Sequence, residues 1–224
     1  MNVQEATTRR LPDLKGRYLP ENCRETINSI LKETYGYEQF RNLEIYDDLS
    51  KGKEKLCISQ GQLIENVILE AEKAWKGETQ VDNILLTAPT GSGKSLLFQL
   101  PAIYLGKEYN LLTIVVSPLK ALIVDQVESL QELGYTRVAY ASSDLSPEQK
   151  MEVYRQVREG EIDLFYLSPE LLLSYDIKHF VGERRIGLVV VDEAHTVTTW
   201  GKEFRVDYWF LGRYLNTLKQ TLGY

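Results

Sequence analysis

Five short apolar runs alternate with helix-forming stretches in the part of the chain that begins at residue 83. The runs are NILLT, LLTIVVS, RVAYAS, IDLFYLS and IGLVVVD. The helical stretches are predicted to begin near Lys94, Leu119, Pro147 and Pro169. Continuous apolar strands separated by helices indicate a parallel sheet with helices on both faces. The predicted fold class is therefore α/β, and ligands are expected beyond the carboxyl ends of the strands.

The segment before this alternation shows helical periodicity. Residues 21–36 place Ile27, Ile30 and Leu31 on one helical face, with Gly36 in position to cap the helix. A second helix is predicted over residues 61–77, with a stripe expected to pack in the core: Ile64, Val67, Ile68, Ala71 and Trp75. Two polar stretches flank the first helix. They are an extended arm at residues 1–20 and a loop at residues 46–56.

Composition excludes several classes of protein. Hydrophobic residues make up 43% of the 224 residues, and the net charge is −6, so any contact with nucleic acid must depend on local sites. Cys23 and Cys57 are expected to be free thiols, and a zinc site cannot be built from them alone. The first 20 residues lack the apolar segment of a signal peptide, and no apolar run approaches the ~20 residues that cross a bilayer. We expect a soluble intracellular protein without a membrane partner, cytoplasmic in a prokaryote or nuclear in a eukaryote.

A phosphate-binding loop is predicted between the first apolar run and the helix that follows it. The sequence APTGSGKS has the spacing of such loops, although Ala88 stands where the general pattern has glycine. Gly91 and Gly93 let backbone amides curl around phosphates, Lys94 supplies a cation, and Ser95 offers a hydroxyl to Mg²⁺. The strand and helix context argues against a simple glycine turn. The predicted ATP-binding set is Ala88, Pro89, Thr90, Gly91, Ser92, Gly93, Lys94 and Ser95.

The last apolar run ends in the acidic sequence DEAH. Asp192 is predicted to hold Mg²⁺ through water, and Glu193 to orient and deprotonate the attacking water as general base. A solvated strand end is the alternative, but a phosphate loop on another strand of the same sheet argues against it. The role of His195 is open between coupling and an ordinary structural place.

Together these motifs resemble those of superfamily 2 helicases of the DEAH type, and most closely the RecQ family. The resemblance rests on TGSGKSLLFQLPAIYL, VVSPLKALIVDQV, LFYLSPELL and DEAHTVTTWGKEFRVDY, which lie within residues 85–212. It implies the first RecA-like lobe of a P-loop NTPase that uses ATP and Mg²⁺. It also implies an ATP-dependent DNA helicase that moves on single-stranded DNA, in the 3′ to 5′ direction.

In the family that the motifs resemble, the loop after the DEAH box contacts single-stranded DNA and signals its presence to the ATP site. Here the corresponding candidates are Trp200, Phe204 and Arg205, with His195 in a coupling role. Stacking of a base on an aromatic ring contributes about 1–3 kcal/mol and tolerates any sequence. Packing of these aromatic residues under the next helix is the alternative.

Two Ser-Pro turns carry further nucleic-acid contacts by resemblance. Ser117, Pro118, Leu119 and Lys120 match one turn that grips the DNA backbone. A second turn is matched by Ser168, Pro169 and Glu170. Such turns are expected to leave amides and a hydroxyl free for phosphates. Ordinary helix initiation is the alternative, because proline is favoured in the first turn of a helix.

Adenine recognition is less clearly encoded. The family reads adenine with a glutamine upstream of the phosphate loop, and Gln62 is the candidate here because an amide can pair with both N6 and N7 of the base. The rival is the segment around Phe40 and Arg41, which also resembles the family's adenine segment. Glu44 occupies the place where that second alignment requires glutamine.

The resemblance also predicts the domain organisation. Residues 1–55 are predicted to be an N-terminal extension of helix and loop, and residues 56–224 the ATP-binding domain, ending before the family's third motif. We expect a longer parent protein whose second RecA-like lobe supplies an arginine finger, so that this chain alone turns ATP over very slowly. Two alternatives stay open: a DNA translocase that does not unwind, and a nucleotide- or DNA-binding module without turnover.

Overall fold

The computed structural model describes residues 18–46, 55–78, 80–86, 91–194, 210–215 and 217. Its helices are α1 Glu21–Tyr35, α2 Gln60–Trp75, α3 Leu96–Tyr109, α4 Lys120–Glu132, α5 Pro147–Arg158, α6 Pro169–Ser174 and α7 Ile177–Val181. Its strands are β1 Asn42–Tyr46, β2 Lys55–Ser59, β3 Leu112–Val116, β4 Val138–Ala141, β5 Leu164–Leu167 and β6 Ile186–Val191. The described helices include none that is long and apolar enough to cross a membrane.

Within the described residues, the main sheet contains four parallel strands in the order β4-β5-β3-β6. Its central strands β3 and β5 are buried along their whole length, as expected for strands that are covered on both faces. Because the strands are parallel, each connection between consecutive strands must cross over, and each of these connections contains a helix. The predicted α/β fold class with a parallel sheet is therefore confirmed.

Local signals set most of the helix boundaries. Before α5, the Ser146 hydroxyl accepts a hydrogen bond from the amide of Gln149, whose side chain accepts in return from the Ser146 amide. Pro147 supplies the preformed first turn of that helix. At the end of α1, Gly36 has φ 69°, a left-handed conformation that glycine adopts without a Cβ clash. These boundaries agree with the predicted ones.

The predicted strand NILLT is wrong for the four of its residues that the structure describes. Residues 80–86 have no regular secondary structure, and the side chain of Leu85 is 84% exposed. An apolar run alone does not show whether a backbone partner is available for it. Among the residues that the structure describes, the first strand of the main sheet in sequence order is therefore β3.

The N-terminal region contains strands that the sequence assigned to loop. Strands β1 and β2 pair in antiparallel fashion, from Asn42 opposite Ser59 to Tyr46 opposite Lys55. The predicted domain boundary between residues 55 and 56 therefore falls at the start of β2. Its partner strand, β1, lies on the N-terminal side of that boundary. Helix α1 shares one core cluster with α3, through side chains such as Ile27, Leu31 and Leu100. The extension and the nucleotide-binding part thus pack on a common core.

A buried ionic cluster lies at the amino ends of the parallel strands. The Asp163 carboxylate, just before β5, pairs with Arg137 at 2.6 Å and with Arg184 at 2.9 Å. The Tyr135 hydroxyl also donates to Asp163, at 3.1 Å. The charges of Asp163 and the buried Arg184 are compensated within the fold, which is the condition for burying them.

Candidate nucleotide and nucleic-acid site

The predicted site residues that follow the strands meet at one edge of the sheet. Val116, at the end of β3, pairs in register with Leu167 of β5 and with Val191 of β6. The amide of Asp192 continues the ladder by donating to the Val116 carbonyl at 2.9 Å. The residues after β3, β5 and β6 therefore start at the same level, as the sequence predicted.

The second half of the phosphate loop turns directly into α3. Gly91 and Gly93 have φ values of 80° and 78°, which side chains with a Cβ rarely adopt. The amides of Leu96 and Leu97 donate to the carbonyls of Gly93 and Lys94, which begins the helix. Helix α3 thus points its positive dipole end toward the loop, where phosphates are stabilised. Ala88, Pro89 and Thr90 lie outside the described residues.

The acidic strand end has an unusual backbone. Glu193 has φ 51°, one of two positive φ values among the described residues other than glycine. Its amide donates to Oδ1 of Asp192 at 2.9 Å. A left-handed conformation is uncommon for such a residue, and conformations of this kind cluster at functional sites. His195, Trp200, Phe204 and Arg205 lie outside the described residues.

The donor groups at this edge fit Mg²⁺ better than a transition metal. No group of three or more His, Cys, Asp or Glu that could hold a metal occurs among the described residues. The oxygen groups that could bind a metal here are the Ser95 hydroxyl, which accepts from Gln126, and the Asp192 carboxylate, which accepts from the Glu193 amide. Mg²⁺ commonly keeps several waters and takes one or two protein oxygens together with substrate phosphates.

The polar groups of the two Ser-Pro turns take part in hydrogen bonds within the fold. The Ser117 side chain is 1% exposed, and its amide donates to the Leu167 carbonyl at 3.1 Å within the sheet. The Ser168 hydroxyl accepts from the Leu171 amide at 3.3 Å and so caps α6. The Ser117 amide is therefore used within the sheet, whereas the Ser168 hydroxyl keeps its proton for a further acceptor, and contact of these turns with phosphates stays a prediction. The cap supports helix initiation as the role of Ser168.

Lys120 remains an accessible candidate for contact with a strand. It is exposed at the first turn of α4, and its ammonium group pairs with Asp144 at 3.1 Å. The Asp144 side chain is 70% exposed, so this is a surface ion pair that contributes little to stability. A phosphate could replace Asp144 as the partner at small cost. Contact between Lys120 and DNA stays a prediction.

The two rival adenine segments lie next to each other. The ring of Phe40 packs so closely on the start of α2 that a Cβ at Gly61 would lie 2.6 Å from it. Gln62 and Phe40 line a cavity of about 320 Å³, together with Tyr18, Arg24, Ile27, Asn28, Ser59, Gly61 and Glu65. Either segment would therefore place the adenine-reading side chain at the same location in the fold.

Gln60 is a site residue that the sequence reasoning missed. Its side chain is 2% exposed; the amide nitrogen donates to the Ser92 carbonyl at 3.1 Å, and the amide oxygen accepts from the Arg41 amide at 3.2 Å. A Cβ at Gly93 would lie 2.7 Å from the same amide nitrogen. Gln60 thus links the phosphate loop to the N-terminal region. Gln60 lies two residues before Gln62 and after a predicted loop. Nothing in that part of the sequence indicated this contact.

A protein-family model for DEAD/DEAH box helicases matches residues 63–223. The chain belongs to this family. The match includes the phosphate loop, the acidic strand end and all four strands of the main sheet. The helicase-type motifs identified in the sequence thus lie inside a recognised helicase domain.

Similarity to RecQ proteins is also confirmed. The chain is 33% identical over 202 residues to the ATP-dependent DNA helicase RecQ of Synechocystis, covering 89% of this chain and 35% of that protein. It is 31% identical over 187 residues to the Haemophilus influenzae RecQ, covering 84% and 25%. With the ATP-dependent DNA helicase Q-like 5 of Arabidopsis thaliana it shares 34% over 185 residues, covering 82% and 17%. This helicase-family chain therefore spans about a third of the length of these relatives or less.

Proposed function

We propose that this chain is the ATP-binding part of an ATP-dependent DNA helicase. One observation carries the proposal. Asp192 and Glu193 lie at the carboxyl edge of the parallel sheet, and the phosphate loop leads into α3 of the same α/β fold. Hydrolysis of a nucleotide requires both parts, because one holds the phosphates and the other orients water. The relatives named above are ATP-dependent DNA helicases, which supports DNA as the partner.

The proposed chemistry divides among four residues. Lys94 and the amides at the start of α3 hold the phosphate groups, and Glu193 accepts a proton from the attacking water. Ser95, together with Asp192 acting through water, would hold Mg²⁺, which when bound supplies neutralising charge at the phosphates. The left-handed backbone of Glu193 fixes where its side chain leaves the sheet edge. Each of these roles is assigned to an oxygen atom or an ammonium group near the end of a strand or the start of a helix.

Coupling to DNA forms the second part of the proposal. Single-stranded or partly duplex DNA is the proposed partner, with Lys120, Trp200, Phe204 and Arg205 as its contacts. Movement in the 3′ to 5′ direction, and a second RecA-like lobe in the same polypeptide, follow from the resemblance to RecQ helicases. A translocase that does not unwind would use the same ATP chemistry. Strand-displacement assays on a longer protein that contains this chain distinguish the two.

Nucleotide binding by the 224-residue chain tests the first part. We expect Lys94→Ala to weaken binding of a non-hydrolysable ATP analogue about 10- to 150-fold, the range for a charge-assisted hydrogen bond of about 1.5–3 kcal/mol. We expect Glu193→Gln to retain binding and to abolish turnover in a longer protein that hydrolyses ATP. Lys107→Ala, an exposed position on α3, is the matched control for charge. Turnover of Glu193→Gln near the wild-type rate would contradict its role as base.

A further inference from the structure

A network of side-chain hydrogen bonds joins the start of α3 to α1, α4 and β5. Gln126 on α4 donates through its amide nitrogen to the Ser95 hydroxyl oxygen at 3.0 Å. The amide oxygen of Gln126 accepts from Gln99 at 3.0 Å and from the Tyr166 hydroxyl at 3.1 Å. Gln99 also donates to the Tyr166 hydroxyl at 3.2 Å, and the Tyr35 hydroxyl donates to the Gln99 amide oxygen at 3.3 Å. The network therefore ends at the serine of the phosphate loop.

Every polar group of the network finds a partner when the Gln126 amide nitrogen faces Ser95. A glutamine oxygen accepts at two lone pairs, and both are used here by Gln99 and Tyr166. Rotating the amide by a half turn would bring its NH₂ group against the NH₂ group of Gln99. The side chains of Gln99 and Tyr166 are 6% and 1% exposed, so water cannot readily replace the lost bonds. With Gln99 and Tyr166 in these orientations, the NH₂ group of Gln126 faces Ser95.

This orientation determines what the Ser95 hydroxyl can still do. A hydroxyl has one proton to donate and two lone pairs that accept. The Gln126 amide occupies one lone pair, and Ser95 forms no capping bond to α3. The proton and the second lone pair are left for the phosphates and the metal ion. The hydroxyl then has a defined rotation about its Cβ–Oγ bond before any ligand arrives.

A second observation places Asp192 near the same network. Burial raises the pKa of the Tyr166 hydroxyl, and the negative charge of Asp192 raises it further. Asp192 therefore lies within electrostatic reach of the tyrosine that orients Gln126. The network thus contacts Ser95 through Gln126, and its Tyr166 hydroxyl experiences the charge of Asp192.

We propose that Gln126 is a positioning residue that orients the Ser95 hydroxyl for the Mg²⁺ complex of the nucleotide. This inference rests on the proposed function and adds a determinant of metal-dependent nucleotide affinity that lies on a different helix from the phosphate loop. Gln126 acts through Ser95, so its contribution should appear only when both Mg²⁺ and the serine hydroxyl are present.

The test measures binding of adenylyl imidodiphosphate to the 224-residue chain by calorimetry, with Mg²⁺ and with a chelator. Gln126→Met keeps the length of the side chain and removes the donor. We expect a roughly 2- to 10-fold loss of affinity with Mg²⁺, the range for one oriented hydrogen bond, and no change with the chelator. In a Ser95→Ala background, the same substitution should have no further effect. Gln131→Met, an exposed position on α4, is the matched control.

Equal losses with and without Mg²⁺, equal losses in the Ser95→Ala background, or wild-type affinity would each overturn the role of Gln126. If Gln126→Met does not fold, as judged by a thermal melt, Tyr166→Phe removes one of the two donors that orient the amide. Tyr166→Phe must then show a Mg²⁺-dependent loss of nucleotide affinity that is smaller than the loss expected for Gln126→Met. Unchanged affinity would overturn the inference. Absence of Mg²⁺-dependent binding by the wild-type chain would instead overturn the proposed function, and the inference with it.

Discussion

Replacing Asp163 by alanine should strongly destabilise this helicase-family chain. The carboxylate accepts hydrogen bonds from Arg137 at 2.6 and 2.8 Å, from Arg184 at 2.9 Å and from the Tyr135 hydroxyl at 3.1 Å. The side chains of Asp163 and Arg184 are only 3% and 5% exposed. Truncation would leave the guanidinium of Arg184 buried without its counter-charge. Breaking a buried ion pair in this way costs about 3–5 kcal/mol.

The lower end of that range is expected here. Arg137 is 44% exposed and can be solvated after the change, and Arg184 keeps hydrogen bonds to the carbonyl of Val157 and to Asn110. A loss of about 3 kcal/mol corresponds to a decrease in Tm of roughly 6–12 °C for a chain of this size. Thermal melts followed by circular dichroism, together with urea unfolding, measure both quantities. Nucleotide affinity well below Tm should be unchanged, because the cluster lies at the amino ends of the strands.

Two further variants serve as comparisons for Asp163→Ala. Asp144→Ala removes a surface ion pair with Lys120 and should change the free energy of unfolding by less than about 1 kcal/mol. Gly106→Ala should resemble Asp163→Ala, because a Cβ at Gly106 would lie 2.3 Å from the Asp163 carboxyl carbon. The two destabilising changes should be non-additive when combined, since they disturb the same contact. Similar decreases in Tm for Asp163→Ala and Asp144→Ala would refute the reasoning.

Two other predictions concern the nucleotide and the DNA. In a longer protein that contains this chain, Trp200→Ala should leave basal ATP turnover unchanged and abolish its stimulation by single-stranded DNA, even at saturating DNA. Full stimulation at saturating DNA, or a large drop in Tm, would contradict a role of Trp200 as a DNA sensor. Gln60→Ala should weaken binding of ATP and GTP together by loosening the phosphate loop from Arg41, whereas Gln62→Ala should selectively weaken ATP. Competition binding measured with ATP and GTP distinguishes these two roles. A change in nucleotide selectivity confined to Gln60→Ala would show that Gln60 reads the base.

Local sequence signals were sufficient wherever a feature depends on near neighbours in the chain. Pro147 and Pro169 mark the starts of α5 and α6, because a serine cap and a proline first turn act within three residues. The run IGLVVVD predicted β6 and the place of Asp192 at its end, since continuous apolar residues suit a strand within a helix-covered sheet. The fold class and the described parts of the phosphate loop and acidic strand end could therefore be predicted from sequence.

Tertiary structure alone decided which polar side chains meet. Gln60 contacts Ser92, Gln126 contacts Ser95, and Asp163 pairs with Arg184, over separations of 32, 31 and 21 residues. Hydrophobic periodicity specifies which face of an element is buried, but it carries no information on which polar group lies opposite another once elements pack. The same limit explains the missed pairing of β1 with β2 and the wrongly predicted strand at residues 83–86, because a strand is completed by a partner that its own residues do not specify.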